Sequence, residues 1–279
     1  MTEGGIARLP FEKLPGVYLM KRAYVETPEG QIYYRTEGSG EPVIFLHKAS
    51  MSSEEFVDLL PSIGKKYRAI ALDVLGCGNS DQPAFKPQIE DYARNVIHVL
   101  DALKIEKTNI VGRLFGASIA VEIAAEYPHR VNKLVLCDLL HVEPEVLNKA
   151  EQEFRHETVI FKEDGSHLVT VWNGRRAKPP IHLEMAQRAT IEYLKSDLGR
   201  RAGESHHAKF SYDVGPRLPK IKSPVLLLYS DRSGLFPRAE ITTKLIPVCL
   251  AQLITGTPSF PTWEKPEQYT GAILSFLQN

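Results

Sequence analysis

The stretch TNIVGRLFGASIA, Thr108 to Ala120, passes from an apolar β-type run through a glycine-pinned turn into a helical pattern. Gly112 and Gly116, followed by Ala117, supply the small residues that a sharp strand-to-helix turn requires. At its apex stands Leu114, an alkyl side chain that can neither attack a substrate nor be activated to do so. The pattern predicts a strand, a strained turn and a helix packed on the strand.

The same alternation extends outward in both directions. Apolar runs PVIFLH, YRAIALDV, NKLVLCD, SPVLLLYS and CLAQLITG read as parallel strands covered on both faces. VYLMKRAYVET and QIYYRT alternate more strictly, and the PEGQ between them suits an antiparallel hairpin at a sheet edge. Segments IEDYARNVIHVLDALKI, GASIAVEIAAEYP and KPEQYTGAILSFLQ place apolar residues three and four apart, as amphipathic helices do. Strand and helix repeating in turn call for an α/β fold with right-handed crossovers. The rhythm breaks between about His141 and Pro216, where PEVLNKAEQEFRHETV and IHLEMAQRATIEYLKSDL read as helices separated by EDGSH and NGRRAKPP. A structureless loop of that length is foreign to a compact domain, so residues 140–216 are expected to form a helical lid between core segments 1–139 and 217–279.

Composition narrows the function classes. The chain has 279 residues, with 34 basic and 34 acidic, so no whole-chain field favours nucleic acid or an anionic membrane. Cys77, Cys137 and Cys249 are odd in number and widely spaced, against a disulfide framework or a CxxC metal site. The start of the chain carries no apolar run of signal-peptide length, and a cytoplasmic location is expected. The adjacent His206 and His207 cannot share a helix face, and no third ligand has a recognisable spacing. No metal and no cofactor are therefore expected.

Five motifs in order resemble those of the α/β-hydrolase fold family over nearly the whole chain. PVIFLHKAS resembles its oxyanion turn, ALDVLGCGNSDQP its D-x-x-G-x-G-x-S loop and VGRLFGASIA its G-x-S-x-G nucleophile elbow. SPVLLLYSDRSGLFP and GTPSFPTWEKP resemble its acid- and histidine-bearing loops, and RTEGSGEPVIFLH is similar to the meta-cleavage-product hydrolase branch. The resemblance implies a mostly parallel eight-stranded sheet flanked by helices. It also implies that the triad positions are held by Leu114, Ser233 and Ser259, although Asp231 is retained nearby. Because a Ser-His-Asp triad works as a unit, its usual chemistry is not expected. Cys77, in GCGNS with no flanking histidine, reads as an ordinary turn residue.

Two cations stand near the altered elbow. Lys48 follows His47 where a glycine is common, and Arg113 precedes Leu114. Lys48 reads either as a solvated surface lysine or as an anion stabiliser. Arg113 reads either as a guanidinium gripping a ligand's oxygens or as one arm of a salt bridge, for instance to Asp138. From Trp172 to Lys209 there are eight basic residues, Arg175, Arg176, Lys178, Arg188, Lys195, Arg200, Arg201 and Lys209, against four acids, Glu184, Glu192, Asp197 and Glu204, which read either as positive charge over the site or as a solvated helical face balanced by earlier acids. Asp138 ends a strand at the crevice of an open sheet, and with His141 it is a candidate for acid–base chemistry.

Two functions fit these residues. One is a non-hydrolytic enzyme acting on an anionic small organic molecule by elimination, isomerisation, cyclisation or decarboxylation, without nucleic acid or membrane partners. The other is a catalytically inactive pseudo-hydrolase that binds a ligand or partner. Whether the chain forms a homodimer stays open.

Overall fold

A computed structural model describes residues 20–154, 159–177, 182–196, 203–257 and 260–279. Eight strands form one sheet in the order β1-β2-β4-β3-β5-β6-β7-β8. In chain order the elements are β1 (Lys21–Thr27), β2 (Gly30–Glu37), β3 (Pro42–Leu46), α1 (Leu60–Ile63), β4 (Arg68–Leu72), α2 (Ile89–Ala102), β5 (Thr108–Arg113), α3 (Phe115–Glu126) and β6 (Val131–Cys137). Helices α4 (Pro144–Phe154), α5 (Ser166–Ala177), α6 (Leu183–Lys195) and α7 (Glu204–Phe210) follow. The chain then closes with β7 (Val225–Ser230), α8 (Ala239–Leu245), β8 (Cys249–Ile254), α9 (Pro261–Glu264) and α10 (Pro266–Gln278).

β1 and β2 pair antiparallel, as the alternation predicts, and β2 also runs antiparallel to β4. All remaining neighbours are parallel. The two-residue period of the central strands divides their side chains between two cores. Ile44, Leu46, Ile110, Leu134 and Leu227 pack with α2 and α3, whereas Val43, Phe45, Val111, Val135 and Leu228 pack with Tyr269, Ile273 and Leu277 of α10. Every residue of β5 is buried, which explains why its sequence shows no polar alternation.

Three expectations change. Among the described residues β8 pairs only with β7, and its Leu250 is 64% exposed, so its apolar sequence belongs to an edge strand rather than a covered one. NGRRA, read as a separator, continues α5 through Gly174. The local cost of that glycine is about 1 kcal/mol, and guanidinium contacts of Arg175 over Tyr193 and Arg176 over Trp172 lie at the same end of the helix. The short helices α7 and α8, too brief to show a clear period, were not anticipated. No helix among the described residues is long and apolar enough to cross a membrane.

From β3 the chain goes to β4 on one side of the sheet and returns to β5 on the other. Strands β3 and β5 therefore flank the point where strand order reverses, and a crevice opens beyond their carboxyl ends. Residues 47–52 and the turn at Leu114 lie at that opening.

Candidate active site

The turn after β5 is strained and over-determined. Leu114 has φ 47° and ψ −106°, a conformation costly for any residue with a Cβ and worth about 1–3 kcal/mol of strain. It is pinned by its N–H donating to the Cys137 carbonyl at 2.9 Å, while its own carbonyl accepts from the Ala117 and Ser118 amides at 3.0 and 3.1 Å. The Gly116 N–H donates to the His47 carbonyl at 3.1 Å and joins the turn to the end of β3. Neither glycine can be replaced cheaply: a Cβ at Gly112 would lie 2.3 Å from the Gly116 carbonyl oxygen, and one at Gly116 would lie 2.0 Å from that of Leu46. Leu114→Gly is expected to melt within a degree or two of the parent, because released strain offsets lost burial. Leu114→Val, β-branched at positive φ, is expected to melt several degrees lower, about 1–2 kcal/mol. Equal melting of the two variants in a calorimetric scan would contradict the strain.

Across the crevice, His47 is fully buried. Its Nε2 accepts from the Val74 amide at 2.9 Å, so the proton sits on Nδ1, which donates to the Lys48 carbonyl at 2.8 Å. The Lys48 N–H in turn donates to Glu55 Oε2 at 2.8 Å. The other oxygen of Glu55 accepts from Arg113 Nη1 at 2.5 Å. Arg113 also reaches Asp138 Oδ2 through Nε at 3.3 Å and Nη2 at 3.2 Å. Asp138 Oδ1 accepts from the Ser230 amide and hydroxyl at 2.7 and 2.9 Å.

Glu55, Arg113 and Asp138 thus form a buried ion triad with side-chain exposures of 1, 5 and 0%. Burial alone would depress the guanidinium pKa, but the two carboxylates outweigh it and raise the pKa. This corrects the ligand-gripping reading of Arg113: its side chain is neutralised inside the protein, as the salt-bridge alternative anticipates. Asp138 and His141 are not brought together either. His141 Nδ1 donates to Thr242 Oγ1 at 2.8 Å, and its charged neighbours are Asp213, Arg238 and Glu143. Burial lowers its pKa.

Lys48 differs from Arg113. Half-buried, it carries its Nζ 4.5 Å from the centroid of the Phe260 ring. It makes no ion pair among the described residues. Burial, followed by the Arg113 charge, pulls its pKa down to about 7; Glu55 pulls the other way and Arg175 reinforces the fall. Arg175 lies 4.1 Å over the Tyr193 ring. His206 is buried, and desolvation together with Lys209, Arg175 and Lys48 holds its pKa well below the usual imidazole value. Lys209 is pulled down to about 8 by burial, with its Nζ 4.0 Å over Phe210.

These groups come from α5 and α7, and α6 fastens the same helical segment to the rim of the crevice. The Ser52 hydroxyl donates to Glu192. Arg188 pairs with Glu54 and Asp58 at 3.1 and 3.0 Å and lies 4.2 Å over Trp263. Arg175 belongs to the basic stretch between Trp172 and Lys209, whereas Glu55 and the buried position of His206 were missed from sequence. Glu55 sits in SSEEF without any distinguishing spacing, and His206 lies in a basic stretch that gives no sign of burial.

The other sequence candidates have local partners. Ser233 Oγ donates to the Ser230 carbonyl at 2.8 Å and accepts from the Leu235 amide at 3.3 Å. Asp231 ties the two neighbouring loops together, accepting from the Gly256 amide at 2.8 Å and the Thr257 hydroxyl at 2.7 Å. Ser259 lies outside the described residues, as do Lys178, Asp197, Arg200 and Arg201. Cys77 is buried in the loop between Asp73 and Asp81, and His207 pairs with Glu151 at 2.6 Å. Among the described residues no cluster of three or more His, Cys, Asp or Glu is arranged to hold a metal ion.

A family model described as alpha/beta hydrolase fold matches residues 41–245. The chain is 27% identical over 252 residues to a 2-(acetamidomethylene)succinate hydrolase of Mesorhizobium japonicum, covering 87% of this chain and 90% of that protein. It is 28% identical over 274 residues to a 2-hydroxy-6-oxo-6-phenylhexa-2,4-dienoate hydrolase of Comamonas testosteroni, covering 88% and 91%. Among solved structures it is similar to the enol-lactonase from Burkholderia xenovorans LB400, with a TM-score of 0.73 at 19% identity, covering 92% of this chain and all of that one.

Proposed function

The chain belongs to the alpha/beta hydrolase fold family, and from that premise we propose that it acts on an anionic small organic molecule without forming an acyl-enzyme. The observation that carries the reading is Leu114 at the apex of the strained turn, where the family presents its nucleophile. With Ser233 and Ser259 at the positions of the acid and the histidine, the triad has no member left to abstract or carry a proton.

Electrostatics favour an anion. Lys48 carries no counter-ion among the described residues, and the two carboxylates nearest in effect, Glu55 and Asp138, are already held by Arg113. Segment 140–216 serves as a lid in this reading, bringing Arg175, His206 and Lys209 over the crevice. The names of the two relatives, a succinate and a dienoate hydrolase, each denote a carboxylate substrate. Their hydrolytic step is not carried over; their substrate class is.

Positioning and charge stabilisation in such a site can promote elimination, isomerisation, cyclisation or decarboxylation of a bound carboxylate. A second reading, a ligand-binding pseudo-hydrolase, draws on the engagement of Asp138 and His141 with other protein groups, which removes that acid–base pair from the site.

At neutral pH the parent is expected to bind succinate or 3-hydroxybutyrate by calorimetry, Lys48→Gln to bind at least tenfold more weakly, and neither to hydrolyse p-nitrophenyl acetate or take up a fluorophosphonate. Ester hydrolysis lost on changing Leu114, or carboxylate binding indifferent to Lys48, would reject the reading. Turnover of a bound carboxylate separates enzyme from binding protein.

A further inference from the structure

An amine held over an aromatic ring, short of solvent and without a carboxylate partner among the described residues, has a chemistry of its own. We propose that Lys48 is a covalent nucleophile toward small oxo-carboxylates, condensing through its Nζ with the ketone or aldehyde carbon of an anionic oxo acid to form an imine beneath the helical segment. The proposal rests on the reading that this site receives anionic molecules.

Three features of the site converge on it. The Lys48 backbone is fixed: its N–H is held by Glu55 and its carbonyl by the buried His47, so the side chain leaves the β3 turn in a set direction. The Nζ rests 4.5 Å from the Phe260 ring centroid and has no ion pair among the described residues. Two guanidinium charges, Arg113 and Arg175, act on it from the β5 and α5 sides and are opposed by Glu55 and Asp138, so burial leads in favouring the neutral amine. A lysine desolvated beside another cation is the established physical recipe for an amine that is neutral and nucleophilic near neutrality. The fall of its pKa to about 7 agrees with that arrangement.

In the condensation the Nζ lone pair forms a C–N bond to the carbonyl carbon, and the C=O π pair moves to oxygen. That oxygen takes the proton shed by nitrogen, giving a carbinolamine. Addition of one further proton lets the hydroxyl depart as water, leaving a C=N bond whose nitrogen bears a proton and a positive charge. Water reverses each step, and no oxidant or reductant is consumed. Arg175, over the Tyr193 ring, adds positive charge on the same side as Lys48, and His206, kept neutral by its surroundings, places an imidazole in the same cluster.

The full-length chain incubated at neutral pH with acetoacetate or pyruvate and sodium cyanoborohydride tests this directly. One reduced adduct, with the mass of the probe less one oxygen, is expected to map to Lys48. It should form at least tenfold faster than adducts at the exposed Lys149 and Lys244, which serve as references on the same peptide map. The Lys48 rate is expected to level off not far above pH 7, while the reference lysines keep rising toward pH 10. Acetone, the neutral analogue, is expected to react at least tenfold more slowly at Lys48. Lys48→Met, shown to be folded by circular dichroism, should lose the adduct.

Labelling of Lys48 no faster than Lys149 overturns the proposal. If 3-hydroxybutyrate binds in a Lys48-dependent way and no adduct forms, the imine is rejected while the anionic site stands. If acetone reacts as fast as acetoacetate, the anionic site is rejected, and with it the oxo-acid specificity claimed here.

Discussion

Arg113→Met is expected to lose about 3–5 kcal/mol of stability, because it strands the carboxylates of Glu55 and Asp138 in the interior with no opposite charge. At about 2–4 °C per kcal/mol for a domain of this order of size, the melting temperature should fall by roughly 6–20 °C. Arg113→Lys keeps the charge but cannot reach both acids with a planar fork, so about half the loss is expected. Adding Glu55→Gln to Arg113→Met removes one stranded carboxylate and should recover part of it. Urea unfolding of the three variants checks the order. A loss below about 1 kcal/mol for Arg113→Met would show that the triad is not the buried electrostatic unit described here.

Lys48→Met is expected to do the reverse and stabilise the protein, by about 2–4 kcal/mol at pH 6, since a half-buried ammonium with no ion pair among the described residues gives way to an apolar chain of similar length. The sign follows from linkage. The folded-state pKa of Lys48, about 7, lies below its ordinary 10.5. Between those values the unfolded chain binds the extra proton, so parent stability rises with pH across that window. The penalty is fully present below pH 7 and fades toward pH 10.5. The stability gap between Lys48→Met and the parent should therefore narrow from pH 6 to pH 9, measured as the difference between their melting temperatures in paired scans. A gap that stays constant, or a variant less stable than the parent at pH 6, would contradict the desolvated amine. Stabilisation on removing a charged group is the usual mark of a residue kept for function.

The fold was legible because its signals are local. Each buried strand announces itself as a short apolar run, and the observed boundaries fall within a few residues of those runs. The elbow was legible for the same reason in part: Gly112 is set by a contact across a single turn, whereas Gly116 is set by the close approach of the Leu46 carbonyl on a neighbouring strand. β8 misled because apolar composition says that a strand exists, not whether a ninth strand covers it. α5 misled because a glycine within a helix is punctuation only when no side-chain contact outweighs its cost.

The site was legible only in part. Leu114 and Lys48 stand out as departures from a pattern, and departures can be seen in one sequence. The partner of Arg113 lies 58 residues away in Glu55, and the bond between Ser52 and Glu192 spans 140 residues. Pairings at such separations leave no periodicity to read. His206 carried no sign of its burial, because α7 is too short to define a face.

The carboxylate of Glu55, gripped on one oxygen by the Lys48 amide and on the other by Arg113, works as a ratchet. In this family an amide from the loop after β3 helps to hold the developing oxyanion of an ester. Here the Lys48 amide holds an anion tethered to the same chain, which no diffusing acyl oxygen can outbid on equal terms. A serine returned to position 114 by itself would still face an occupied donor. Vacating that donor means moving the carboxylate that, through its other oxygen, balances the buried Arg113 charge. On the proposed reading, freeing the Lys48 amide therefore carries a cost in stability, because the same carboxylate serves both contacts.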